Sequence, residues 1–240
     1  MTNIVPLTST KHSNINVKDS SNYHRFTKEH IIPVVIREII TLASEFPIVF
    51  IKNAKTEEFM PVAMMGLKNG INLYCQSELW TAPIKPLGFN NAPLSLMKSD
   101  PSSDDVMICI DEDSDLVSSS EGQPLFTISG EQSDYLKQRA NALLDMAAWT
   151  QQTSVICQYL AEKDLLSPQQ LTVKLDSAEN NINIGGIYMV NDETINNLSN
   201  ELLIELKEKG LLSVIYAHRA SIHQIPRLIA KQNAFDANSK

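Results

Sequence analysis

The sequence predicts an α+β fold, with an antiparallel β-meander in the N-terminal half packed with a helix-rich C-terminal half. Three observations carry this. Short β-prone runs punctuated by turn residues fill the first half. After Ser133 the apolar residues recur at helical spacing. Hairpin patterns occur in both halves, and no regular βαβ alternation is present. At 240 residues the chain has room for one large domain or two small ones. We read residues 1–28 as a flexible lead-in, 29–231 as a single α+β domain with a sub-division allowed near 131, and 232–240 as a tail.

The lead-in is polar and rich in Ser, Thr and Asn, too poor in apolar residues to offset the entropy of ordering. Ile36, Ile39, Ile40 and Ala43 then fall on one helical face, with Pro33 at the start, which predicts a helix over 34–45. Pro47 ends it. "IVFIK" (48–52) and "FMPVAMMGL" (59–67) read as strands, with Pro61 near the start of the second, where a missing donor is tolerated. Asn69-Gly70 is a hairpin signal because both residues accept positive φ, so "INLYCQ" (71–76) becomes the returning third strand. Pro83, Pro86 and Pro93 take the chain out of the ladder as a stiff, extended surface segment. "DVMICID" (105–111) is apolar enough for a buried strand, and an acidic turn region leads to a short strand near 125–128.

Leu136, Ala140, Leu143, Leu144 and Ala147 form an amphipathic stripe, predicting a helix to about residue 163 with room for a break near Thr150. "QLTVKL" and "INIGGIYMV" form a hairpin across "DSAENN". Asn191 or Asp192 caps a helix carrying Ile195, Leu198, Leu202, Leu203 and Leu206, and Gly210 suits a left-handed C-cap. "LLSVIY" (211–216) reads as a strand, and a last helix spans about 221–230.

A formal charge of −8, with no Lys/Arg stripe to offset it, disfavours nucleic acid or an anionic membrane as the main partner. Cys75, Cys109 and Cys157 are three in number, widely spaced and without a CxxC pair, so neither a disulfide framework nor a zinc ribbon is indicated. Thiols of this kind are expected to be buried, as suits a reducing cytoplasm. No signal-peptide pattern opens the chain. The most apolar stretch, 31–50, is interrupted by Pro33, Arg37, Glu38, Glu45 and Pro47, so no membrane span is expected and the predicted location is the cytoplasm.

The order "EFPIVFI", "VAMMGLKNGINLY", Trp80, "ICIDEDS", "GQPLFTISGE" and "GIYMVNDETINNLSNELLIELKEKGLLSVIYAHRASI" resembles the bacterial SapC family over residues 25–231. This family is distinct from the membrane-spanning peptide-transporter permease that shares its name. The resemblance implies an association with surface-layer loci and with genes for flavin-dependent tryptophan halogenase-like proteins and TonB-dependent receptors. It carries no catalytic residues across. Where many members have an Arg pair before Pro-Phe, this chain has Gly88, Asn90 and Asn91, which puts an anion-binding role at that place in doubt.

Candidate sites are few. Asp111, Asp113 and Asp115 have the D-x-D-x-D spacing of a calcium loop, but Leu116 and Gly122 stand where Gly and Glu belong, so a solvated acidic turn is favoured over a looser cation contact. His218 and His223 are about 140° apart around a helix and do not share a face, which disfavours a metal pair. No nucleophile elbow or phosphate-cradling loop occurs, and Gly185-Gly186 suits a β-bulge. Trp80, ahead of three prolines, is either a stacking platform for a ligand or a seal over the meander. Its apolar flanks Leu79, Ile84, Leu87 and Phe89 favour the seal, with a groove edge as the further option. Trp149 is expected to pack within its helix region. The expected function is that of a non-enzymatic accessory or binding protein. It would contact another protein, or a peptide or small ligand, through Trp80, Pro83, Pro86, Phe89 and Asp111. No metal or cofactor is expected, and a homodimer is compatible. The competing classes are an enzyme or enzyme partner in a modification pathway and a surface-layer-associated component.

Overall fold

Strands form where β-branched and aromatic residues cluster, and helices where Leu, Ile and Ala recur three and four apart. The computed structural model describes residues 3–18, 23–76, 79–99, 105–176, 181–190 and 192–238. In chain order these give β1 (Ile4–Pro6), α1 (Ser9–His12), β2 (Asn16–Val17), β3 (Ile31–Pro33), α2 (Ile39–Leu42), β4 (Ile48–Lys52), β5 (Phe59–Met64), β6 (Leu94–Lys98), β7 (Val106–Asp111), β8 (Val117–Ser118), β9 (Gln123–Pro124), α3 (Asp134–Glu162), β10 (Ser167–Val173), β11 (Ile182–Met189), α4 (Asp192–Asn196), α5 (Asn200–Glu208), α6 (Leu211–Ser221) and α7 (Ile225–Asn238). The fold is α+β. The chain divides into two compact units, Met1–Ser21 with Leu87–Ala148, and Asn22–Pro86 with Trp149–Lys240.

The first unit has two small antiparallel sheets, ordered β1-β7-β6 and β8-β2-β9. Val17, Leu94, Ile110, Leu116, Leu125, Phe126, Leu136 and Leu143 form its apolar core. Ser133 starts α3: its hydroxyl accepts the Leu136 N–H at 3.1 Å and donates to the Pro124 carbonyl at 2.6 Å, fixing the helix start to β9.

The second unit is built on one antiparallel sheet, ordered β10-β11-β4-β5-β3. Opposed residues share a face, so Ile48 and Phe50 of β4 lie with Ala63 and Pro61 of β5. On that side Phe50 meets the His218 ring of α6 edge-on at 5.2 Å. Val49 and Ile51 lie on the opposite face with Val62 and Met60, and that face continues through Met64 to its partner Ile31. α6 packs against α2, α5 and β4. Glu38 closes the turn before α2 by accepting the Val35 N–H at 2.9 Å, and Thr153 accepts the Ile36 N–H at 3.0 Å. The Arg37 guanidinium lies 4.0 Å above the half-buried Trp149 ring.

Several expectations are corrected. Residues 71–76 form no strand, and the third strand beside β5 is β3. The cause is Asn72, fully buried, whose side chain donates to the Phe26 carbonyl at 3.0 Å and accepts the Tyr74 N–H at 3.0 Å. That local turn competes with a ladder. "LLSVIY" lies in helix α6, not a strand: Leu211, Val214, Ile215, His218 and Ser221 are its buried positions, spaced as one helical face. α3 runs through Thr150 without a break, and the change of unit falls within it at 148/149 rather than near 131. The helix expected from residue 191 or 192 is divided into α4 and α5, where Ser199 caps α5 by accepting the Leu202 N–H at 3.2 Å. Asn191 lies outside the described residues, as do 177–180 of the expected "DSAENN" loop. The lead-in expected to be loose carries β1, α1 and β2, with His12 and Val17 both 2% exposed. Sparse apolar residues are enough here because each strand adds to one already formed: Val5 pairs with Ile110, and Val17 with Val117. Gly70 and Gly210 do take positive φ, 75° and 70°. Among the described residues no helix is long and apolar enough to cross a membrane.

Candidate functional site

Trp80 folds inward. Its indole N–H donates to the Ile84 carbonyl at 2.8 Å, which closes the following turn on itself. Its ring lies 5.8 Å from Tyr74, 6.0 Å from Phe46 and 6.2 Å from Tyr23, all tilted. The half-buried indole thus covers the fully buried Phe46–Tyr74 pair. Lys231 stands 4.5 Å over the Tyr74 ring, and Lys85 donates to the Tyr23 hydroxyl at 2.8 Å. Burial pushes the Tyr74 phenol well up, with the nearby Glu45 carboxylate adding to it, so it stays protonated.

The five residues predicted as a contact surface do not lie on one element. Trp80, exposed Pro83 and buried Pro86 belong to the second unit, whereas Phe89 and Asp111 belong to the first. Phe89 is 2% exposed. The Asp111 carboxylate is turned onto its own loop, accepting the Asn3 N–H at 2.9 Å and the Asp113 N–H at 3.3 Å. Among the described residues no group of three or more His, Cys, Asp or Glu is gathered to hold a metal.

The reactive groups are committed elsewhere. All three cysteines are buried, burial raises each thiol, and that of Cys157 is pushed up to about 12. His12 sets Nδ1 3.0 Å from the Thr8 N–H and 3.1 Å from the Thr8 carbonyl, and Nε2 3.1 Å from the Glu112 carboxylate. His218 is 1% exposed and accepts the Val190 N–H on Nε2 at 3.2 Å. Burial pulls its imidazole down to about 4, against a smaller opposing pull from the Ile48 backbone. His223 instead lines an open cleft of about 490 Å³ with Tyr216, Asp192 and Arg219. There the Arg219 guanidinium pairs with the Asp192 carboxylate.

The arrangement best suited to a ligand was missed by motif reading. β11 pairs with β4 only at Ile187–Ile51 and Tyr188–Phe50. Just before that, Gly186 takes φ of 73° and the β10–β11 register slips between Gln169 and Leu171, so the hairpin bulges. Between this part of β11 and the β3–β4–β5 face lies a cavity of about 260 Å³. Ile31, Val49, Ile51, Met64, Ile182 and Ile184 are among its walls, with His30, Asn69 and Asn183 as its polar groups. The Gly185-Gly186 pair was the one legible signal. Neither has an atom within 4 Å of where a Cβ would stand, so this wall is backbone only.

A protein-family model described as SapC matches residues 7–228. No curated protein and no solved structure matches the chain.

Proposed function

The chain belongs to the SapC family, and from that premise we propose that it works as a non-enzymatic accessory protein that holds a small ligand or peptide. The observation that carries this reading is the partly open, mainly apolar cavity of about 260 Å³ beneath the β10–β11 hairpin, with a few polar groups on its walls. A concave, mainly apolar cleft with a few polar groups on its walls is the usual form of a small-molecule site. The state of the reactive groups supports binding over chemistry: buried thiols held protonated, and two buried histidines each tied to the backbone. Native mass spectrometry of untagged protein from its own host tests the reading. A stoichiometric small molecule or peptide on the chain is the expected result. A chain that carries neither, while turning over a metabolite of its host extract, contradicts it.

A protein partner is a second reading, favoured by the strap around Trp80. Leu79 is 60% exposed there, beside exposed Pro83, while Trp80 itself anchors the strap from within. A partner protein that co-purifies and is lost with Leu79→Asp supports this reading; a partner retained by that variant removes it.

A further inference from the structure

We infer that the cavity beneath the hairpin is a site for a medium-chain carboxylate of roughly ten carbons, an inference that rests on the ligand-binding reading above. The size follows by proportion. An apolar cavity of about 150 Å³ takes benzene, with six carbons. The cavity here is about 260 Å³.

The polarity is divided in a way that suits such a molecule. Val49, Ile51, Met64 and Ile184 present only hydrocarbon and a thioether to a tail. Burying an alkyl tail against such walls is favourable at about 0.8 kcal/mol per methylene. At the head, His30 and Asn69 make no side-chain hydrogen bond among the described residues. Asn183 is turned away from this head: it alternates with Ile182 and Ile184 along β11, and its Oδ1 accepts the hydroxyl of its cross-strand partner Thr172 at 2.8 Å. The His30 imidazole N–H and the Asn69 carboxamide therefore offer donors to an acceptor head. Among the described residues the lining contains no Asp or Glu to repel an anion. The bulge at Gly186 and the short β11–β4 pairing provide an entry, since this wall carries no side chain at Gly185 or Gly186 and only two residue pairs tie β11 to β4.

Isothermal titration calorimetry of the full chain with decanoate and with 1-decanol tests this. Decanoate is expected to bind one per chain. Ile184→Trp fills the cavity and is expected to weaken decanoate at least tenfold, and Ile182→Trp provides the same reading should the first variant fold poorly. His30→Ala is expected to weaken decanoate about tenfold and to leave decanol within twofold, because only the charged head loses a strong donor. No decanoate binding overturns the proposal, as does binding that both well-folded Trp variants leave unchanged. Equal loss of decanoate and decanol in His30→Ala removes the carboxylate assignment. If native mass spectrometry finds another ligand and decanoate fails, the carboxylate falls while the binding reading stands.

Discussion

Acidification should destabilise the second unit through one residue, His218. Its ring is 1% exposed, and its Nδ1 has no hydrogen-bond partner. The folded imidazole titrates near 4, against 6.5 when unfolded. Above pH 6.5 the ring is neutral in both states and contributes no pH dependence. As pH falls below 6.5 the unfolded chain gains a proton that the folded chain refuses, so stability drops by about 1.4 kcal/mol per pH unit. The loss from this group reaches roughly 2 kcal/mol at pH 5 and levels off near 3 kcal/mol below pH 4. Urea unfolding of the wild type and His218→Gln from pH 8 to pH 4 isolates it. Gln keeps an acceptor for Val190 N–H, and the carboxylates and other histidines are common to both proteins. The wild type should lose about 2 kcal/mol more than the variant between pH 7 and pH 5. Parallel pH profiles across that range would refute the claim that burial holds His218 neutral.

Asn72→Ala removes the acceptor for the buried Tyr74 N–H and one of two donors to the half-buried Phe26 carbonyl. Chemical denaturation should show a loss of about 2–4 kcal/mol, and a loss below about 1 kcal/mol contradicts its place at the centre of that turn. Ser133→Ala strips the cap of α3 and should cost about 1–3 kcal/mol, read as a lower thermal midpoint by circular dichroism, whereas Ser133→Asp should recover part of it. At neutral pH the folded protein should give no fast reaction with Ellman's reagent, and three thiols should react on unfolding. A thiol that reacts within seconds in the native state would contradict the burial of Cys75, Cys109 and Cys157.

Elements whose pattern is local were legible in the sequence. β4, β5, β7, α3 and the β10–β11 hairpin each announce themselves through residues that contact one another within the segment or across one turn. "LLSVIY" failed because six residues with one polar interruption fit a strand as well as a buried helix. Extending the window to His218 and Ser221 reveals the helical face, yet both are polar and do not count as core in a hydropathy pattern. Asn72 misled for the opposite reason: a buried amide looks like an exposed one in sequence, and its two bonds reach Phe26 and Tyr74. β1 and β2 were invisible because their partners Ile110 and Val117 lie about a hundred residues away. Trp80 was readable as a seal from its apolar flanks, but its cover over Tyr74 and Phe46 depends on tertiary packing. The cavity was hardest, since its walls come from β3, β4, β5 and β11 and only Gly185-Gly186 marks it locally.

The most direct measurement is a methyl-resolved NMR titration of isoleucine-labelled protein with decanoate. Saturable shifts are expected at Ile31, Ile51, Ile182 and Ile184, which line the cavity, while Ile39 and Ile215, buried and outside its lining, stay unmoved. Shifts confined to methyls outside the cavity, or none at concentrations that saturate the calorimetric signal, would contradict a site there.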